Sequence, residues 1–199
     1  MIKINILRGT YSRREFHLMW TYWSLISYFK KEFDDLKIEF KFYINLDNPK
    51  IYDCDFLFLD STSFPKIKEG EKVLTYVDIE FLKKIRLKNN NLIWFDMRDS
   101  AGTTQFEVLP YVRKYVKRQL YKDFNFYKKQ LYGGRNYTDF YNKNFGIKDD
   151  EEYHQELLDD KYKEKIVLGW NHGVFRHFNW IDFNKYDLYL ENLKFFLNI

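Results

Sequence analysis

A mostly parallel β-sheet covered by helices on both faces is the architecture this sequence predicts. Two observations carry the prediction. Short strand-like runs alternate with helical stretches along the chain, and such alternation implies parallel pairing through crossovers. Several of those runs, among them FLFL (56–59) and LIWF (92–95), are apolar throughout, as strands buried on both faces are. Together they give an α/β fold of Rossmann-like type, read as one domain over residues 1–199, with no internal repeat and no low-complexity segment.

The elements follow in order. IKINIL is a strand ending in Arg8-Gly9-Thr10. Ser12 can then cap a helix that carries Phe16, Met19, Trp20, Trp23 and Ile26 at helical spacing to about Phe33. KIEFKFYI alternates like a strand, CDFLFLD is a second apolar run, and KVLTYV is a third, beyond the turn-rich STSFPKIKEGE. Asp78 caps a helix through Phe81, Leu82 and Ile85 that ends in Asn89-Asn90-Asn91, and LIWF is the next strand. Thr104 and Glu107 have capping-box spacing, which places a short helix from Thr104 to a stop before Pro110. YVRKYVKRQL reads as a strand or an irregular edge segment, IVLGWN as the last strand, and IDFNKYDLYLENLKFFL as a closing helix.

Composition narrows the function classes. A chain of 199 residues with 45% hydrophobic and 21% aromatic residues can bury a real core, which excludes disorder throughout. The net charge of +4 comes from 33 basic and 29 acidic residues with the signs interleaved. That mild excess tolerates anionic partners without calling for nucleic acid. Cys54 is the one cysteine, so no intrachain disulfide forms. MIKINILRGT is too short and polar for a signal peptide, and no run approaches the roughly 18 apolar residues of a membrane span. A cytoplasmic place is therefore expected, with peripheral membrane association left open. Ala101 is the only alanine while Lys, Asn, Ile, Phe and Tyr abound, a bias that matches AT-rich codons and weakens any argument from aromatic content alone.

The richest stretch is DMRDSAGTT (96–104), which follows a strand directly. Parallel sheets bind ligands outside the carboxyl ends of their strands, so this turn and Arg8-Gly9-Thr10 are expected to share a crevice. Asp99 and Ser100 could merely cap backbone amides, with Gly102 supplying a positive φ. Two carboxylates, an arginine and three hydroxyls in nine residues exceed what capping needs.

Other constellations carry less. Asp53-Cys54-Asp55 has the Asp-x-Asp spacing of some metal-bound sugar-nucleotide sites, yet it precedes its apolar run, and no metal is expected. His17, His154, His172 and His177 lack zinc spacing, although His172 stands at another strand's carboxyl end. Phosphate-binding glycine signatures and nucleophile elbows are absent. KYVKRQ could be a basic patch for phosphate or, equally, an edge strand's guard against aggregation.

With its Asp-x-x-Asp-Ser-x-Gly turn, its Gln-Phe-Glu-x-Leu-Pro segment, its Tyr-Gly-Gly-Arg loop and its Phe-Gly pair, the stretch 93–147 resembles the amino-terminal half of glycosyltransferase-like proteins from bacterial surface-polysaccharide gene clusters. The resemblance rests on Asp96, Asp99, Ser100 and Gly102 of an Asp-x-x-Asp-Ser-x-Gly turn; on Gln105, Phe106, Glu107, Leu109 and Pro110; and on Lys117. It continues through the Tyr132-Gly133-Gly134-Arg135 loop, Thr138, Asp139 and Tyr141, and the Phe145-Gly146 pair, with Gly169 to Asn171 resembling a later strand. Arg98, Ala101 and Arg113 depart from the family pattern.

That resemblance implies one half of a GT-B arrangement, the half that holds a saccharide acceptor, with the nucleotide sugar bound by a second, donor half that this chain does not contain. It implies no cofactor. An inverting transfer needs a base within roughly 3 Å of the acceptor hydroxyl proton and cations for the departing diphosphate. Asp99 is the expected base with Asp96 its competitor. Gly9, Thr10, Arg13, Ser100, Thr103, Arg135, Asn171 and His172 are the expected substrate contacts, and Arg14 is a further cation nearby. The alternative is a carbohydrate-binding or assembly module that uses the same crevice without turnover. Nucleic-acid binding is the weakest reading.

Overall fold

The computed structural model describes residues 1–8, 22–23, 25–64, 67–69, 72–74, 77–98, 100–148 and 156–170. Six strands form one all-parallel sheet: β1 (Ile2–Leu7), β2 (Ile38–Tyr43), β3 (Phe56–Asp60), β6 (Leu92–Asp96), β7 (Lys114–Lys117) and β8 (Ile166–Leu168), in the order β2-β1-β3-β6-β7-β8. The α/β, Rossmann-like expectation is met. This order is that of the flavodoxin-like doubly wound sheet, whose switch point lies between β1 and β3.

All five residues of β3 and of β6 are buried, because alternate side chains enter two separate cores. On one face Ile4, Ile6, Phe56, Phe58, Ile93, Phe95 and Val116 pack against Tyr22, Trp23, Leu25, Ile26 and Phe29 and against Phe33 of α1 (Lys30–Asp35). On the other, Leu57, Leu59, Leu92, Trp94 and Tyr115 meet α2 (Ile79–Lys88) and the 3-10 segment Phe106–Tyr111. Leu82 and Ile85 of α2 are fully buried there, each stabilising by about 1.5–3 kcal/mol.

The start and stop of α2 follow the sequence. Asp78 Oδ1 accepts from the Phe81 amide at 2.9 Å. Past the last turn, Asn89 Nδ2 donates to the Cys54 carbonyl at 2.9 Å and Asn91 Nδ2 to the Asp55 carbonyl at 2.9 Å. The asparagine run therefore ties the helix end to the amino edge of β3.

Four local expectations are corrected. KVLTYV does not join the main sheet: β5 (Lys72–Leu74) pairs antiparallel with β4 (Ile67–Glu69) in a separate two-stranded sheet. The segment after Thr104 is a 3-10 turn, Phe106–Tyr111, with Pro110 inside it and no side-chain cap at Gln105. A short 3-10 run demands fewer backbone donors than an α-helix, so it accommodates the proline. β7 is interior, between β6 and β8, and no edge strand. Lys117 on it is wholly buried, which removes both the surface basic patch and the guard against aggregation at that position. Most of the expected first helix, from Ser12, and the closing helix lie outside the described residues.

Candidate functional site

Parallel strands bring their carboxyl ends to one edge, so Leu7, Asp60, Asp96, Lys117 and Leu168 close the sheet on the same side. Loops crossing this edge are bonded to one another. Ser63 Oγ donates to the Leu7 carbonyl at 3.1 Å, and the Met97 amide donates to Ser61 Oγ at 3.0 Å. Asp60, fully buried, accepts from Trp23 Nε1 at 3.0 Å and from the Thr62 hydroxyl at 2.6 Å.

The turn after β6 is built on an ion pair in the core. Asp96 and Lys117 meet at 3.0 Å with both side chains at 0% exposure. The Tyr115 hydroxyl donates to the same Asp96 oxygen and itself accepts from the Gln105 amide at 3.0 Å. The second Asp96 oxygen accepts from the Arg98 amide at 2.9 Å. Lys117 also donates to the Thr103 carbonyl at 2.8 Å, and Arg98 Nη1 to the Thr104 carbonyl at 2.8 Å. Burial pushes the Lys117 ammonium below its usual pKa, with Asp96 acting the other way. Burial likewise raises the Tyr115 hydroxyl, and the Asp96 charge adds to that. Asp96, Tyr115 and Lys117 point to one face because 115 and 117 are two apart on β7 and Asp96 pairs with Lys117 in register.

This placement decides what Asp96 can do. A carboxylate with no exposed surface and three donors around it anchors the turn; it does not reach an acceptor hydroxyl. Ser100 is half-buried, and its Oγ accepts from the Gly102 amide at 3.2 Å, so it caps a backbone amide of the turn. Gly102 does not supply a positive φ. Among the described residues the left-handed glycines are Gly133, Gly134 and Gly146, and Gly102 is required by space. A Cβ there would come within 2.4 Å of the Tyr121 hydroxyl and 2.5 Å of the Gly134 carbonyl.

That close approach joins two distant stretches of chain. Arg135, beyond the Tyr132–Gly134 turn, donates from Nε to Thr103 Oγ1 at 3.2 Å and from Nη1 to the Tyr137 hydroxyl at 2.6 Å. Tyr127 adds a further tie by donating to the Ala101 carbonyl at 3.1 Å. Ser100, Thr103 and Arg135 thus share one polar surface at the carboxyl edge. Asp99, Gly9, Thr10, Arg13, Arg14, Asn171, His172 and the other three histidines lie outside the described residues.

Two features escaped the sequence reading. Tyr115 and Lys117 looked like strand residues of an edge; their signal was the spacing of two that places both beside the end of β6. Glu107 looked like a capping residue. It is half-buried, with its own and the Val77 backbone N–H at its carboxylate and Arg98 nearby, and burial raises its pKa to about 7. It can exchange a proton near neutral pH.

Asp53-Cys54-Asp55 sits at the opposite, amino edge. Asp55 accepts from the Lys3 amide at 2.7 Å and Asp53 pairs with Lys3 Nζ at 3.7 Å. The Cys54 thiol donates to the Ile51 carbonyl at 3.3 Å, and burial pushes it up to about 11, far from a reactive thiolate. Among the described residues no cluster of His, Cys, Asp and Glu could hold a metal ion, and no helix is long and apolar enough to cross a membrane. In comparisons with protein-family models, with curated proteins and with solved structures, nothing matches this chain.

Proposed function

We propose that the chain is the acceptor-side unit of a glycosyltransferase of polysaccharide assembly, working with a unit that binds the nucleotide sugar. The observation that carries this reading is the contact between the Asp96–Thr104 turn and the Tyr-Gly-Gly-Arg loop through Gly102, Thr103 and Arg135. The resemblance to polysaccharide-cluster glycosyltransferases draws on those two stretches separately, and they form one hydroxyl- and guanidinium-bearing surface at the ligand-binding edge of the sheet.

In the proposed reaction Asp99 takes the proton of the acceptor hydroxyl. The acceptor oxygen forms its bond to the anomeric carbon of the donor sugar as the bond from that carbon to the diphosphate breaks, and the nucleoside diphosphate leaves with the electron pair. Asp96 positions the turn, and Arg135 with Arg13 meets anionic groups. The buried state of Asp96 supports Asp99 over Asp96 as the base. It equally suits the second reading, a carbohydrate-binding module with no turnover.

Transfer assays decide between them. With the donor-binding unit present, Asp99→Asn is expected to lower turnover about a hundredfold or more while the circular dichroism spectrum is unchanged. Normal turnover by the folded variant removes Asp99 as the base. Tight uridine or guanosine diphosphate binding by the 199-residue chain alone would show that the acceptor-side assignment is the wrong way round.

A further inference from the structure

α3 (Asn136–Phe145) is turned inside out. Thr138 and Asp139 face the loop before the helix: the Thr138 hydroxyl donates to the Tyr132 carbonyl at 2.6 Å, and Asp139 accepts from the Tyr132 amide at 3.0 Å. Asn142 donates to the Ile147 carbonyl at 2.9 Å beside the Gly146 cap. No residue of the helix is buried. Its aromatic residues point outward, with Tyr137 49%, Phe140 54%, Tyr141 49% and Phe145 65% exposed. At 100° per residue these four span an arc of about 140°. The rings of Phe140, Tyr141 and Phe145 form a continuous cluster with centroids 5.5, 5.9 and 6.2 Å apart.

A contiguous exposed apolar row marks something that covers it. Size argues against a protein. Four aromatic side chains of about 150–250 Å² each, roughly half exposed, offer on the order of 400 Å², short of the ~800 Å² per partner of a stable interface. A membrane fits poorly too, because helices that lie on bilayers turn a basic polar face to the lipid headgroups. Here Thr138 and Asp139 are bonded to the preceding loop, and Lys143, the one basic residue of the helix, is tied to Asp139 at 2.7 Å.

The row also continues the candidate site. Tyr137 at its foot accepts from Arg135, whose guanidinium lies 5.7 Å from the Tyr137 ring and whose Nε holds Thr103. Aromatic faces carry partial negative charge and attract the polarised C–H bonds on the apolar faces of pyranose rings. Hydroxyls at the ring edges can meet Arg135 and Thr103.

We propose that the outward face of α3, Tyr137, Phe140, Tyr141 and Phe145, is a saccharide-stacking shelf continuous with Ser100, Thr103 and Arg135, so that the ligand is an oligosaccharide and not a lone sugar. The inference rests on the acceptor-side reading and adds the substrate class. From Tyr137 to Phe145 the shelf runs about 12 Å, at 1.5 Å per residue, which is the reach of a short oligosaccharide.

The test uses the 199-residue chain on an array of bacterial surface polysaccharides and their fragments of increasing length, with hits measured by calorimetry. Tyr141→Ala and Phe145→Ala change exposed side chains and are expected to fold normally. Each is expected to weaken binding of the longer glycans tenfold or more and to leave monosaccharide binding unchanged, whereas Ser100→Ala weakens both. If no glycan binds, or if the shelf variants bind as the parent does, the shelf is overturned. Loss through Ser100→Ala alone removes the shelf and leaves the acceptor-side reading standing. Shelf-dependent binding without transfer when the donor-binding unit is present leaves the shelf and removes the enzyme. Pelleting with phosphatidylglycerol vesicles that Phe145→Ala abolishes, or a dimer in sedimentation that it dissociates, would assign the face to a membrane or to a second copy instead.

Discussion

The turn after β6 and the helix α3 invert each other. In the turn, charged residues that look like surface chemistry are folded inward: Asp96 and Lys117 have no exposed surface and are bonded to Tyr115, Thr103 and each other. In α3, aromatic residues that look like core are the exposed ones, and Thr138 and Asp139 tie the helix to the loop before it through Tyr132. Arg135 and Gly102 sit where the two regions touch. Polarity in a sequence therefore marks where bonds must be made and leaves open whether water or protein makes them. Buried polar groups cost little only when every partner is present, so the turn should be intolerant of change and the helix indifferent to it.

The largest expected effect tests the intolerant half. Lys117→Met leaves the Asp96 charge buried without its cation and is expected to destabilise by about 3–5 kcal/mol, with much of that recovered in Asp96→Asn/Lys117→Met. Urea unfolding of the single and double variants measures both numbers. A single variant as stable as the parent would mean that the pair contributes nothing to the turn.

Gly102→Ala comes next. The added methyl meets the Gly134 carbonyl, which is backbone and cannot swing aside, so overpacking of about 1–3 kcal/mol is expected. Arg135 should also be displaced from Thr103, and saccharide binding should weaken with stability. Thermal unfolding read beside glycan calorimetry distinguishes a strained turn from a tolerated one.

Glu107 supplies a pH dependence. Its carboxyl is raised to about 7 from an ordinary 4.5, so the folded state holds a proton that the unfolded chain releases. The stability it contributes is fully present below about 4.5 and is lost as pH rises through about 7. Glu107→Gln is expected to flatten that fall between those pH values. An unchanged slope of unfolding free energy against pH would show that another group is responsible.

The smallest effect belongs to the indifferent half. Phe140→Ser, with its ring more than half exposed, is expected to change stability by no more than about 0.5 kcal/mol. A loss several times larger would mean that the face is covered in the folded chain and is no shelf.

Much of the fold was legible because it rests on local pattern. The apolar runs at 56–59 and 92–95 announce strands buried on both sides, Asp78 announces the start of α2, and the asparagines at 89–91 announce its end. KVLTYV misled because an apolar run does not say which sheet will receive it. The turn was legible as a cluster, since nine residues carry six polar or charged side chains, and its meaning was not.

The sequence by itself determined the α/β class, most of the strands of its parallel sheet and the stretch where polar and charged residues gather, all of which follow from periodicity and strand ends within short windows. Only the tertiary structure decided that β7 is interior, that Lys117 reaches Asp96 across 21 positions of chain, that Gly102 is glycine for want of room, and that α3 shows its aromatics to the outside. The physical reason is that burial and partnership are properties of pairs distant in sequence. No window on the chain contains both members.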